Sequence, residues 1–174
     1  MAILKDGELI ADPWVRIEAD RLPLGKPLLL SLDDWQHLSR SLLHWDQPLG
    51  LILEPGDALE SLRADLGRFQ LIALTFPALT DGRPFTQARL LRRRYGFSGE
   101  LRAAGAAQPD QFLQLHRCGF DTVEVATAES TDLWKAAVGR YAGFYQGAER
   151  GTWERGAFLQ PKASEQPAAA SWAY

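Results

Sequence analysis

The sequence predicts an α/β fold: a parallel sheet of about five strands built from βα repeats, with a short N-terminal β arm. Three observations predict it. Short apolar runs recur along the chain, each bounded by turn-forming residues. Segments with apolar residues at helical spacing lie between them. The strand-to-strand spacing is roughly 20 to 30 residues, room for a crossover helix and a right-handed parallel connection. Two arrangements satisfy this pattern. One is an open three-layer sandwich; the other is a partial TIM-like barrel in which sequential strands are neighbours.

The arm spans residues 1–26. Glu8-Leu9-Ile10-Ala11 and Trp14-Val15-Arg16-Ile17 flank the turn signal Asp12-Pro13, which suggests a small hairpin. The core, 27–146, opens with the apolar run Pro27 to Leu32. Asp33 and Asp34 suit a helix start, and Trp35, Leu38 and Leu42 follow at helical spacing. Leu49 to Leu53 is the second run, ending at Glu54-Pro55-Gly56, with a helix carrying Leu59, Leu62 and Leu66 after it. Leu71 to Phe76 is the third, followed by a loop to Arg83 and a helix through Leu90, Leu91 and Arg94. Glu100 to Ala103 is a more polar fourth strand, then a helix with Phe112, Leu113 and His116. Thr122 to Val125 is the fifth, and a helix from about Thr131 to Tyr145 closes the core, with Trp134, Ala137, Val138, Tyr141 and Tyr145 on one face. Residues 147–174 form an extension. Its Ala, Pro and Ser content reads as partly disordered, and Trp172 and Tyr174 are either incidental or anchors of a docking peptide.

Composition narrows the function classes. The chain has 174 residues, one domain's worth, and 46% of them are hydrophobic, enough for a real core. A net charge of -3 argues against general nucleic-acid binding, which needs Lys and Arg to neutralise phosphates. A single cysteine, Cys118, permits no internal disulfide and points to the cytoplasm. It also leaves no Cys-rich zinc or iron–sulfur site. Met1 to Gly7 lacks the basic start and apolar core of a signal peptide, and no apolar run approaches the roughly 20 residues of a membrane span. His37, His44 and His116 lack metal-ligand spacing, and no P-loop, dinucleotide fingerprint or nucleophile elbow is present. The expectation is no bound cofactor, no metal and no membrane.

Ligands of parallel α/β folds bind at the carboxyl ends of the strands. The candidates there are Glu54, Asp81-Gly82-Arg83, Arg102, the loop Ala104 to Asp110 with Gln111, and Glu124. The fourth strand departs from the continuous apolar run of a doubly covered strand. Glu100 and Arg102 share one face by the period of two, and charges there need partners. One reading is an internal salt-bridge network of Glu100, Arg102, Asp81 and Arg83. The other is a polar pocket of Asp81, Arg83, Glu100, Arg102, Asp110 and Gln111, in which the two guanidinium groups fork onto a small anion. Arg89, Arg92, Arg93 and Arg94 form a basic run on the third crossover helix. It reads as a solvated face or as a docking patch for an acidic partner. Cys118, before the helix-ending Gly119, reads as a small buried thiol rather than a nucleophile.

One segment carries a resemblance. It runs Phe76-Pro77-Ala78-Leu79-Thr80-Asp81-Gly82-Arg83-Pro84-Phe85, then Leu90 to Phe97, Gly99 to Gly105, Asp110-Gln111 and Arg117 to Asp121. It resembles the bacterial domain-of-unknown-function family 934. Members of that family accompany assimilatory sulfite reductase genes, and some are described as oxidoreductases of sulfite reduction. The resemblance therefore implies a place in sulfur assimilation and cysteine biosynthesis, with sulfite reductase as the expected partner. It assigns no catalytic residue. The expected function is an accessory protein of assimilatory sulfite reduction; the alternative is an enzyme binding a small anion or phosphorylated metabolite at the strand ends.

Overall fold

The computed structural model describes residues 2–5, 8–17, 25–125 and 132–137. The extension 147–174 and most of the last predicted helix lie outside the described residues. Each predicted core strand forms. Leu28–Ser31, Leu49–Leu53, Phe69–Phe76, Glu100–Gly105 and Thr122–Val125 are β4 to β8 in chain order. They run parallel as sequential neighbours, the order of the partial-barrel alternative.

The sheet is larger than five strands and is mixed. Among the described residues it has eight, ordered β2-β1-β8-β7-β6-β5-β4-β3. β1, Ala2–Lys5, pairs antiparallel with β8 and with β2, Glu8–Ala11. β3, Val15–Arg16, pairs parallel with β4 at the far edge. The expected hairpin about Asp12-Pro13 is therefore corrected. Its two arms lie on opposite edges, and the hairpin partner of β2 is β1, whose Ile3-Leu4 pair was too short to register as a strand by pattern alone.

The helices are α1 (Leu32–Leu38), α2 (Arg83–Arg93), α3 (Phe112–Arg117) and a helical stretch at 132–137. Ser31 caps α1: its hydroxyl accepts from Asp34 N–H, and Asp34 returns the bond to Ser31 N–H. Pro84 suits the first turn of α2. The expected helix at Leu59–Leu66 is instead two 3-10 turns, Leu59–Leu62 and Leu66–Arg68. They bury the same leucines.

The helices cover one face of the sheet. Leu28, Leu30, Leu51, Leu53, Ile72, Leu74, Phe76, Leu101, Ala103 and Val123 pack there with Trp35, Phe85, Leu91, Leu115 and Trp134. The alternate residues point to the other face, which holds Leu71, Ala73, Thr75, Glu100, Arg102, Thr122 and Glu124. That face is concave. Arg16 on β3 reaches Glu124 on β8 at 3.5 Å. The two strands are five steps apart in the sheet order, which in a flat sheet is about 24 Å. Only a sheet curled toward closure brings them together. The segment after β2 lies inside the curl: the Trp14 ring packs so closely on Gly50 of β5 that an added Cβ would stand 2.9 Å from it.

Candidate functional site

The inner face of the curl holds a polar cluster built on β7 and β8. Glu100 and Arg102 alternate with the buried Leu101 and Ala103, so both charges face inward. The neighbours of Arg102 across the sheet are Ala73 and Thr122, small enough to leave room for a guanidinium. Its side chain is 2% exposed. Nη1 donates to both oxygens of Asp12 at 3.1 Å, and Nη2 and Nε donate to Glu100 Oε1 at 3.0 and 3.3 Å. Thr122 Oγ1 donates to the same Glu100 oxygen at 2.7 Å. Asp12 also accepts from Trp14 N–H, which shapes the turn that brings it over the sheet.

Glu124 lies two residues beyond Thr122 on the same face, and its side chain is 8% exposed. Burial pushes its carboxyl above the ordinary range; Arg16 and Arg102 oppose the shift and Asp12 adds to it. Gly105 N–H also bonds the carboxylate. Gly105 is fixed as glycine by geometry: its φ is +81°, and a Cβ would lie 2.6 Å from the Phe76 carbonyl oxygen. Glu124 is thus a carboxyl that takes up a proton more readily than a solvated one, at the carboxyl end of a parallel strand. It can accept or hold a proton; Arg102 cannot take a new anion without giving up a carboxylate it already holds.

The other predicted residues lie in the loops at the carboxyl ends of β6 and β7. Asp81 and Arg83 pair with each other: Arg83 Nε donates to Asp81 at 3.0 Å and Nη2 at 2.6 Å. The Arg83 side chain is 63% exposed. The Arg83 hydrogen bonds hold the Asp81 carboxyl below its usual range. Gln111 donates from its amide to the Leu79 carbonyl at 3.1 Å, tying the two loops together. Asp110 is exposed in the 3-10 turn Pro109–Gln111. The structure therefore gathers Asp81, Arg83, Asp110 and Gln111 in one loop region, Arg83 and Asp110 exposed and Asp81 and Gln111 half-buried, and sets Glu100 and Arg102 apart on the inner face. The partner that completes the Arg102 network is Asp12, not Asp81.

One arginine of the basic run is not a surface residue. The Arg92 side chain is 8% exposed and bonds Asp121 Oδ2 at 2.6 Å. It also donates to the carbonyls of Phe97, Gly99 and Gly119. The same Asp121 oxygen accepts from Leu101 N–H at 2.8 Å. Arg92 thus staples the end of α2 to the starts of β7 and β8. A sequence signal was present: Phe85, Ala88 and Arg92 lie at i, i+3 and i+7, so Arg92 sits on the apolar face of α2. No comparable signal marks Asp12 or Arg16, whose partners are distant in sequence.

Among the described residues, no group of three or more His, Cys, Asp or Glu is placed to hold a metal ion. No described helix is long and apolar enough to cross a membrane.

The model of one family, described as bacterial protein of unknown function (DUF934), matches residues 50–153. The chain belongs to that family. The matched span runs from β5 through the helix at 132–137 and so includes β7, β8, the Arg102–Glu100 pair and the Arg92–Asp121 staple. It leaves out Asp12 and Arg16, which reach the inner face from the N-terminal segment. The comparison with curated proteins gives no match.

Proposed function

We propose that this protein is an accessory protein of assimilatory sulfite reduction and works by binding a protein partner, sulfite reductase first among them. The pathway is the one that the family resemblance implies, and the site supports a binding role only by arguing against a buried anion pocket. The observation that carries it is the state of Arg102. The most buried cation of the inner face is committed to Asp12 and Glu100, as in an internal brace. That geometry favours a scaffold over a two-arginine anion pocket. The chain's single cysteine supports the same reading, because a thiolate-held iron–sulfur cluster needs several.

The test is twofold in one strain. The tagged protein, expressed from its own locus, co-purifies with sulfite reductase, and its deletion slows growth on sulfate but not on cysteine. Absence of the reductase from the eluate, together with unimpaired growth on sulfate, contradicts the reading.

The loop cluster supports a second reading, a small-anion site. Arg83 is exposed and keeps Nη1 outside its bonds to Asp81, and Gln111 holds the neighbouring loop against it. A thermal-shift series with sulfite, sulfate and phosphate checks it. A rise in melting temperature that Arg83→Ala abolishes supports this reading, and no rise with any of them removes it.

A further inference from the structure

Two exposed cations border a cleft in the helical layer. The 3-10 turn Leu59–Leu62 and the residues that close α2 frame a cleft of about 200 Å³ lined by Glu60, Arg63, Arg94 and Tyr95. Both framing elements are anchored in the core, through the fully buried Leu62 of the 3-10 turn and Leu91 of α2. Inside it, the Tyr95 hydroxyl donates to Glu60 Oε1 at 3.1 Å and occupies the cleft's one carboxylate. The Arg94 guanidinium carbon lies 5.7 Å from the centre of the Tyr95 ring. Both arginines are exposed, and among the described residues neither side chain makes a hydrogen bond or ion pair. With Glu60 ionised, the cleft carries one net positive charge on a chain whose net charge is -3.

We propose that this cleft is the docking site for an acidic segment of a protein partner. Its carboxylates fork onto Arg63 and Arg94, and its aliphatic stems cover the Tyr95 ring. A peptide fits better than a free anion for a physical reason. Salt screens either one, but a free anion makes a single weak contact between two exposed cations, whereas a peptide engages both with several carboxylates at once and covers the part of the half-buried ring still open to water. The inference rests on the partner-binding reading above and gives that partner a chemistry and a place on this chain.

A fluorescent oligoglutamate peptide titrated into the full chain tests it. The wild-type protein binds, and binding weakens as salt rises. Arg63→Glu with Arg94→Glu lowers affinity at least about tenfold. Arg63→Gln with Arg94→Gln, which adds no repulsion, also weakens it, and both variants keep the wild-type melting temperature. Undetectable binding by the wild-type protein, affinity unchanged in either double variant, or equal competition by free sulfate or phosphate overturns the proposal. Co-purification of sulfite reductase with the wild-type chain separates the two readings. If the charge-reversed chain retains the reductase, the cleft is not its docking site, and the accessory role stands. If the wild-type chain captures no reductase, the accessory role falls and the peptide titration alone judges the cleft.

Discussion

Glu100-Leu101-Arg102 and Asp81-Gly82-Arg83 have the same spacing, an acid two residues before an arginine, and form the same ion pair. Their surroundings differ. On β7 the period of two turns both side chains toward the concave face, where Arg102 is 2% exposed and recruits Asp12 from far along the chain. At the start of α2 the pair curls on itself, with the Asp81 side chain 13% exposed and the Arg83 guanidinium in solvent at 63%; the two regions differ in the cation, not in the acid. Spacing sets the pair; the element that carries it sets its energetic weight. A charge pair on an enclosed strand face is bound into the fold, because each member is expensive to leave alone. The exposed pair competes with water and salt and stabilises little.

The largest effect belongs to Arg102. Arg102→Met leaves Asp12 and Glu100 without their cation and lowers unfolding free energy by about 3 kcal/mol in urea denaturation. That is the lower end of the range for breaking a buried pair, because the two carboxylates keep 17% and 23% of their side-chain surface exposed. An unchanged denaturation midpoint would erase the contrast between the two regions.

Glu124 gives a smaller effect that depends on pH. Burial raises its pKa in the folded chain, so the unfolded chain gives up the proton first. Stability is full below the unfolded value of about 4.3 and falls as pH rises through the folded value. Glu124→Gln removes this titration. The variant therefore gains on the wild type as pH rises from about 4 to 7. Melting curves across that range check it, and a wild type that gains on the variant would reverse the sign.

The smallest effect belongs to Arg83. Arg83→Ala leaves the melting temperature at the wild-type value in moderate salt, since the guanidinium it removes lies largely in solvent. A clear loss of stability there would mean that the loop cluster is part of the fold's frame.

The core of the fold was legible because its signals are local. The run Leu49–Leu53 is filled with apolar residues and Thr122–Val125 holds three β-branched residues around Glu124; both are bounded by turns and both form strands with those limits. β1 was not legible, and of β3 only the segment was: Trp14 to Ile17 reads as β, but the strand pairs with β4 rather than with β2. Both strands are short, and β1 at β8 and β3 at β4 take partners that no local pattern names. The polar cluster was half legible. The alternation in Glu100 to Ala103 marks inward charges, but nothing near β7 names Asp12, ninety residues earlier, as the counter-charge. Arg92 shows the reverse case. Its helical register placed it on the buried face, while its basic neighbours suggested solvent, and the register decides.

The most direct test is the coupling energy across each of the two pairs, measured by double-mutant cycles in one denaturation assay. The cycles use Glu100→Gln with Arg102→Met, and Asp81→Asn with Arg83→Met. A coupling of about 1 kcal/mol or more between Glu100 and Arg102, with none resolved between Asp81 and Arg83, is the predicted result. Equal coupling in both pairs, or stronger coupling at the exposed one, would contradict it.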